Sequence, residues 1–204
     1  MSTSLLDLGP DGHLRCRWCL ATPGYQHYHD TEWGFPVADD QRLFEKLCLE
    51  GFQSGLSWRT ILEKRENFRL AFHGFDYQRI ADYTEQDEKR LLNNAGIIRH
   101  RGKIAATINN ARRMQELVER EGSLAAFVWR YEPDPATLPP PATTTTSPES
   151  VALSKELKKR GWKFVGPTTV YSFMQAMGLI NDHAPGCVVR ARVQAARQVF
   201  QRPA

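Results

Sequence analysis

Residues 84–104, TEQDEKRLLNNAGIIRHRGKI, decide the fold. Thr84 followed three residues later by Asp87 is a capping box, which opens a helix carrying Leu91 and Leu92. Gly96 is placed to end it as a left-handed cap. A second helix begins near Arg101 and runs to about Arg120, with Ile104, Ile108, Ala111 and Leu117 on its inward face. The stretch is therefore a helix, a tight hairpin and a helix. A glycine-bearing turn beside a helix start leaves backbone N–H groups free, and these can hold a phosphate. Arg99, Arg101 and Lys103 add positive charge around Gly96 and Gly102. Solvated basic residues on an ordinary helix connection are the plainer reading of the same text.

The same periodicity extends outward in both directions. Asp39 and Asp40 cap a helix in which Leu43, Phe44, Leu47 and Cys48 share a face. After a break at 55–57, Trp58, Ile61, Leu62 and Phe68 continue it, and a short helix is expected over 80–83. Another spans about 123–131. Residues 132–150, rich in proline and carrying four consecutive threonines, form a long linker. Ser147-Pro148-Glu149 starts a helix that runs to Gly161, and a last apolar helix covers about 168–179. No stretch alternates with period two, so the fold class is all-α. Residues 1–14 lack a periodic pattern and are expected to be a loose tail; 188–204 form a second, basic tail, read as a frayed helix in preference to an extra DNA contact. That leaves one domain over 15–187, with the linker inside it.

The 204 residues, 41% of them hydrophobic, suffice for a sizeable core, and the formal charge of +4 is too small to specify a partner. No apolar run is long enough to span a membrane, and the start lacks the marks of a secretory signal. With four cysteines, too few for a disulfide scaffold, the expected compartment is the cytoplasm. No obligate protein partner is evident, and a monomer is the default.

Two groups of residues carry chemistry. Cys16, His29, His183 and Cys187 are four soft donors able to close a tetrahedral zinc site that ties the chain ends together. Cys19, paired with Cys16 as Cys-x-x-Cys, is an alternative ligand. With four protein donors no position is left for water, so such a zinc would be structural, and no hydrolytic zinc motif is present. The second group is aromatic: Trp18, Tyr25, Tyr28, Trp33, Phe52 and Trp58 lie near one acid, Glu50, on an apolar pattern. Rings stack on a purine face while the acid accepts from its amino edge; a helical protein's aromatic core is the rival reading. An acid among apolar neighbours is costly unless something pairs with it.

Taken together, Arg15-Cys16 with Trp18, Tyr28-His29-Asp30 with Glu32-Trp33-Gly34, Cys48 to Gly51, Gly55 to Trp58, Lys64 to Asn67, Ala95 to Lys103, Leu157 to Gly161, Tyr171 to Ala176 and Asn181-Asp182-His183 resemble the 3-methyladenine DNA glycosylase I family, within the helix-hairpin-helix glycosylase group. The resemblance covers about Arg15 to Cys187. It implies a two-lobed helical fold acting on alkylated double-stranded DNA, with the damaged base turned into a pocket. By position it implies base contacts from Trp18, Tyr25, Tyr28, Glu50 and Trp58, with Glu50 and Tyr28 catalytic. Gly55 and Leu56 fall where the family faces the gap left in the duplex; the hairpin residues Gly96, Arg99, Arg101, Gly102 and Lys103 fall on the DNA-binding side. It also implies a structural Zn2+ on Cys16, His29, His183 and Cys187, favouring His29 over Cys19, and a monofunctional activity that releases 3-methyladenine and leaves an abasic site. Cys19, the linker and the long C-terminal tail depart from the family pattern. A zinc hydrolase and a damage binder that breaks no bond remain the alternative classes.

Overall fold

The computed structural model describes residues 4–203. Two short strands, β1 (Leu6–Leu8) and β2 (Leu14–Cys16), pair antiparallel with Leu6 opposite Cys16. For residues 4–14 this hairpin corrects the loose tail expected over 1–14, residues 1–3 lying outside the described residues, and it adds a small sheet to an otherwise helical fold. It escapes pattern reading because each strand has three residues and β1 buries no face. A 3-10 turn, Arg17–Ala21, leads into α1 (Pro23–Thr31), which Thr22 caps through the Tyr25 amide.

α2 (Asp40–Gln53) starts at Asp39, whose carboxylate accepts the Arg42 N–H at 2.8 Å. Its continuous buried run from Leu43 to Phe52 makes it the central helix. α3 (Trp58–Glu63) and α4 (Arg65–Ala71) follow, then α5 (Tyr77–Ala81), which begins at its Asp76 cap, before the expected start at residue 80. α6 (Glu85–Leu92) opens on the Thr84–Asp87 capping box. It closes through Asn93, and Gly96 does not adopt the left-handed conformation expected of it. Gly96 instead lets the turn approach Asn67, whose side chain a Cβ there would meet at 3.2 Å.

α7 (Arg101–Glu121) packs against α5, α6 and α2, and α8 (Leu124–Trp129) against α2 and α7. The following linker holds only a 3-10 turn, Pro135–Thr137, until Ser147 caps α9 (Pro148–Lys159). α10 (Pro167–Ala176) lies between α9 and α2. The expected frayed tail is a helix, α11 (Arg190–Val199), anchored by fully buried Val193 and by an ion pair between Arg197 and Glu132 at 2.7 Å, both side chains over nine-tenths buried. One apolar core runs from Val37 to Ile180, and a smaller cluster of Cys16, Ala184, Cys187, Val189 and Val193 joins the two chain ends. No helix among the described residues is long and apolar enough to cross a membrane.

Candidate functional site

Thr22 and Pro23 fix the start of α1, and its last turn places Tyr28 against Lys46 of α2 and Trp58 of α3. A cavity of about 270 Å³ opens there, lined by Trp18, Tyr25, Tyr28, Trp33, Glu50 and Trp58 among others. All five side chains expected to hold a base therefore meet on one cavity. Trp18 stands 4.8 Å from Tyr25 and 5.0 Å from Trp33, centroid to centroid, and Tyr28 stands 5.6 Å from Trp58. Phe52 is not among them: it is core, packed on Phe68 at 4.7 Å.

Glu50 is 4% exposed. One of its oxygens accepts from the Lys46 ammonium at 2.8 Å, one helical turn back, and the other, Oε2, is buried with no partner among the described residues. Burial raises the Glu50 carboxyl above its ordinary range against the pull of Lys46, and burial likewise lowers Lys46 to about 8 against the pull of Glu50. Lys46 also donates to the Tyr28 hydroxyl at 2.8 Å and sits 3.1 Å from the centre of the Trp58 ring, a cation–π contact. Burial pushes the Tyr28 phenol well above its usual value, so it stays a neutral hydroxyl.

The expected DNA-facing residues divide. Gly55 and Leu56 are exposed, Leu56 at 41% although it is apolar. Arg99, Arg101 and Gly102 are exposed on the hairpin, with Arg101 in an ion pair to Glu88 at 3.0 Å. His100 caps α7 by accepting the Lys103 N–H, leaving the first-turn amides of Arg101 and Gly102 for an acceptor from outside. Lys103 corrects the sequence reading. It is 7% exposed, and its ammonium donates to the carbonyls of Phe52 and Ser54 at 2.8 and 2.6 Å, satisfying the last carbonyls of α2 and not presenting a charge to DNA. The Gly96 amide is likewise engaged, by the Asn94 side chain at 2.8 Å.

The four expected metal ligands are all buried at the junction of the chain ends. Ligand atoms of Cys16, His29 and Cys187 lie within 4.8 Å of one another. The His29 Nδ1 contacts Asp30 at 2.7 Å, which leaves Nε2 facing the Cys187 sulfur at 3.5 Å. His183 contacts Asn181 through Nδ1, and its Nε2 is buried with no partner. Burial and the neighbouring His29 depress His183 to about 4, so its imidazole is neutral. Hydrogen bonds from Cys16 and His29 favour the thiolate of Cys187. Soft donors, a carboxylate behind one histidine and an orphaned imidazole nitrogen fit a zinc ion. Gly34, with φ +87°, makes room for this: a Cβ there would lie 2.9 Å from the His183 ring. His183 and Cys19, both buried, stand outside this trio, and Cys19 makes a side-chain hydrogen bond with His29.

Several lining residues were not selected from the sequence. Ala142 and Thr144 come from the proline- and threonine-rich linker, and Ser172, Gln175 and Asp182 come from α10 and the segment after it. Asp182 accepts from the Ala142 amide at 3.2 Å and from Gln175 at 2.6 Å, which ties the linker to the cavity wall. A polar triplet Ser172, Gln175 and Asp182 on an otherwise apolar stretch was the available signal.

Residues 18–191 match the family model described as methyladenine glycosylase. DNA-3-methyladenine glycosylase 1 of Escherichia coli strain K12 is 50% identical over 177 residues, 85% of this chain and 95% of that protein. A crystal structure of a 3-methyladenine DNA glycosylase I superimposes with a TM-score of 0.79 at 52% identity, covering 85% of this chain and 98% of its own. A tyrosine-to-phenylalanine variant of a 3-methyladenine DNA glycosylase I, solved in complex with 3-methyladenine, superimposes with a TM-score of 0.81 at 36% identity over 86% and 97% of the two chains. Matching along nearly the whole of these relatives, the chain belongs to the methyladenine glycosylase family of DNA-repair enzymes, glycosidases that hydrolyse N-glycosyl bonds.

Proposed function

We propose that this enzyme excises 3-methyladenine from alkylated duplex DNA and is monofunctional, leaving an abasic site uncut. The observation that carries the reading is the buried, unpartnered Oε2 of Glu50 at an aromatic cavity. An acceptor without a donor is costly in such a place, and the amino edge of an adenine supplies one. Alkylation at N3 gives the base a formal positive charge, so it leaves the sugar far more readily than an undamaged base. Little acid catalysis is then needed. The extruded base stacks on Tyr28 and Trp58, with Trp18 and Tyr25 closing the cavity, and the carboxylate favours its cationic form before water takes the sugar carbon.

In this reading of a two-lobed helix-hairpin-helix enzyme, Arg99, Arg101 and the α7 amides hold the backbone without regard to sequence. Gly55 and Leu56 face the gap in the duplex, as the exposure of apolar Leu56 supports. Lys103 is withdrawn from the DNA contacts. Its ammonium is held by two carbonyls, so it is not free to form a Schiff base with the sugar, which favours a monofunctional enzyme. Cys16, His29, His183 and Cys187 would hold a structural zinc, which supplies folding energy at the chain ends and no step of the reaction. Four buried free thiols fit a reducing, cytoplasmic setting, and a monomer suffices for every role named.

The test is incubation with methylated duplex DNA, followed by identification of the free bases and of strand breaks. Release of 3-methyladenine with intact abasic strands is expected. Binding without release would leave a damage binder, and strand cleavage or borohydride trapping of the protein on DNA would end the monofunctional reading.

A further inference from the structure

Lys46 is an unusual neighbour for a site that receives a cation. It is 5% exposed and does not line the base cavity; it lies in a small adjoining void that shares Tyr28 and Trp58 with that cavity. Its ammonium meets three of the cavity's groups at once: Glu50 Oε1 at 2.8 Å, the Tyr28 hydroxyl at 2.8 Å and the Trp58 ring at 3.1 Å from its centre. Among the described residues, all but one of the other charged groups around its stem are paired. Arg65 pairs with Glu32 at 2.6 Å and Arg69 with Glu45 at 2.9 Å, and Arg42 lines the same void. On the cavity side, Asp182 is satisfied by Ala142 and Gln175, and Tyr25 is half-buried.

We propose that Lys46 is a positioning residue of the base pocket, whose ammonium keeps Glu50 a carboxylate, engages one of its oxygens and leaves the other as a single acceptor aimed at the base. The inference rests on the glycosylase reading above and deepens it. With one oxygen engaged, Glu50 cannot swing to accept in a bidentate manner, so the site reads one N–H donor. The pair is also close to neutral as a unit. A cationic base therefore gains from the free oxygen at the cost of repulsion from an ammonium behind the ring wall.

The experiment compares wild type, Lys46→Met and Lys46→Arg for kcat/KM on methylated duplex DNA across pH, and for affinity for free 3-methyladenine by quenching of tryptophan fluorescence. Thermal melting of each variant checks folding. With the ammonium gone, burial alone acts on Glu50, so the acidic limb of the Lys46→Met profile is expected to move to higher pH. Base affinity near neutrality is expected to fall on the order of tenfold, the scale of a hydrogen bond to a charged group. Lys46→Arg, which keeps the charge, is expected to restore the limb. A Lys46→Met enzyme with the wild-type profile and affinity would overturn the proposal while leaving the glycosylase reading intact. So would a uniform loss in both variants with no shift of the limb, which marks a packing role. Wild type that neither releases nor binds 3-methyladenine would overturn both.

Discussion

Arg99 and Lys103 stand four residues apart in one basic run, yet they have different surroundings. Arg99 is exposed, whereas the Lys103 ammonium closes the carboxyl end of α2. Arg99→Ala is expected to weaken duplex binding evenly over sequences and to lower the slope of log K against log salt by about one. Lys103→Met is expected to leave that slope unchanged and to destabilise the fold by about 1–3 kcal/mol, because two carbonyls lose a charged donor. Fluorescence anisotropy at several salt concentrations, with thermal melts, separates the two; an equal loss of slope in both variants would return Lys103 to the DNA face. Glu50 is legible in the sequence because an acid amid Leu47, Cys48, Leu49 and Phe52 needs a reason. Lys46 is not, since Lys and Glu four apart on a helix ordinarily form a solvated surface pair. Only the tertiary placement of Tyr28 and Trp58 buries this one.

At the scale of the element, α2 is the common frame: its middle carries Lys46 and Glu50, its end is held by α7 through Lys103, and it packs on α10. The caps that set the helices were readable because they are local, as with Asp39 for α2, Thr84 for α6 and Ser147 for α9. Thr84→Ala should cost about 1 kcal/mol in a denaturant titration; no change would mean that the cap is idle. Gly178 follows α10 with φ +84°, and a Cβ there would lie 2.4 Å from the Pro36 backbone nitrogen. Backbone cannot step aside as a side-chain tip can, so Gly178→Ala is expected to cost on the order of 4 kcal/mol, well above the cap variant. The β1–β2 hairpin and the linker's contribution to the cavity wall were not readable. Each depends on partners distant in sequence: the hairpin on the α11 end of the chain, and Ala142 on Asp182, 40 residues away.

Over the whole molecule, the two chain ends meet beside the base cavity, and Cys16 lines both the end-to-end cluster and the cavity. Loss of the zinc proposed for this junction should therefore register first as stability. Cys16→Ser, or treatment with a strong chelator, is expected to remove about one zinc per chain and lower the melting temperature, with activity falling as the fold loosens. Activity lost from a protein that keeps its zinc and melting temperature would contradict a structural metal. The fold class and the gathering of Trp18, Tyr25, Tyr28, Glu50 and Trp58 were legible from spacing and resemblance, since both follow from apolar periodicity and matched text. The ordering of 190–199 was not, because α11 shows a basic face in sequence and finds its anchor, Glu132, only in three dimensions. The role proposed for Glu50 in the aromatic cavity is recognition of the alkylated base. It is tested most directly by measuring single-turnover release of 3-methyladenine from methylated duplex DNA by wild type and Glu50→Gln side by side. The prediction is a fall of at least about tenfold in the variant, with melting temperature and zinc content unchanged; equal rates would contradict it.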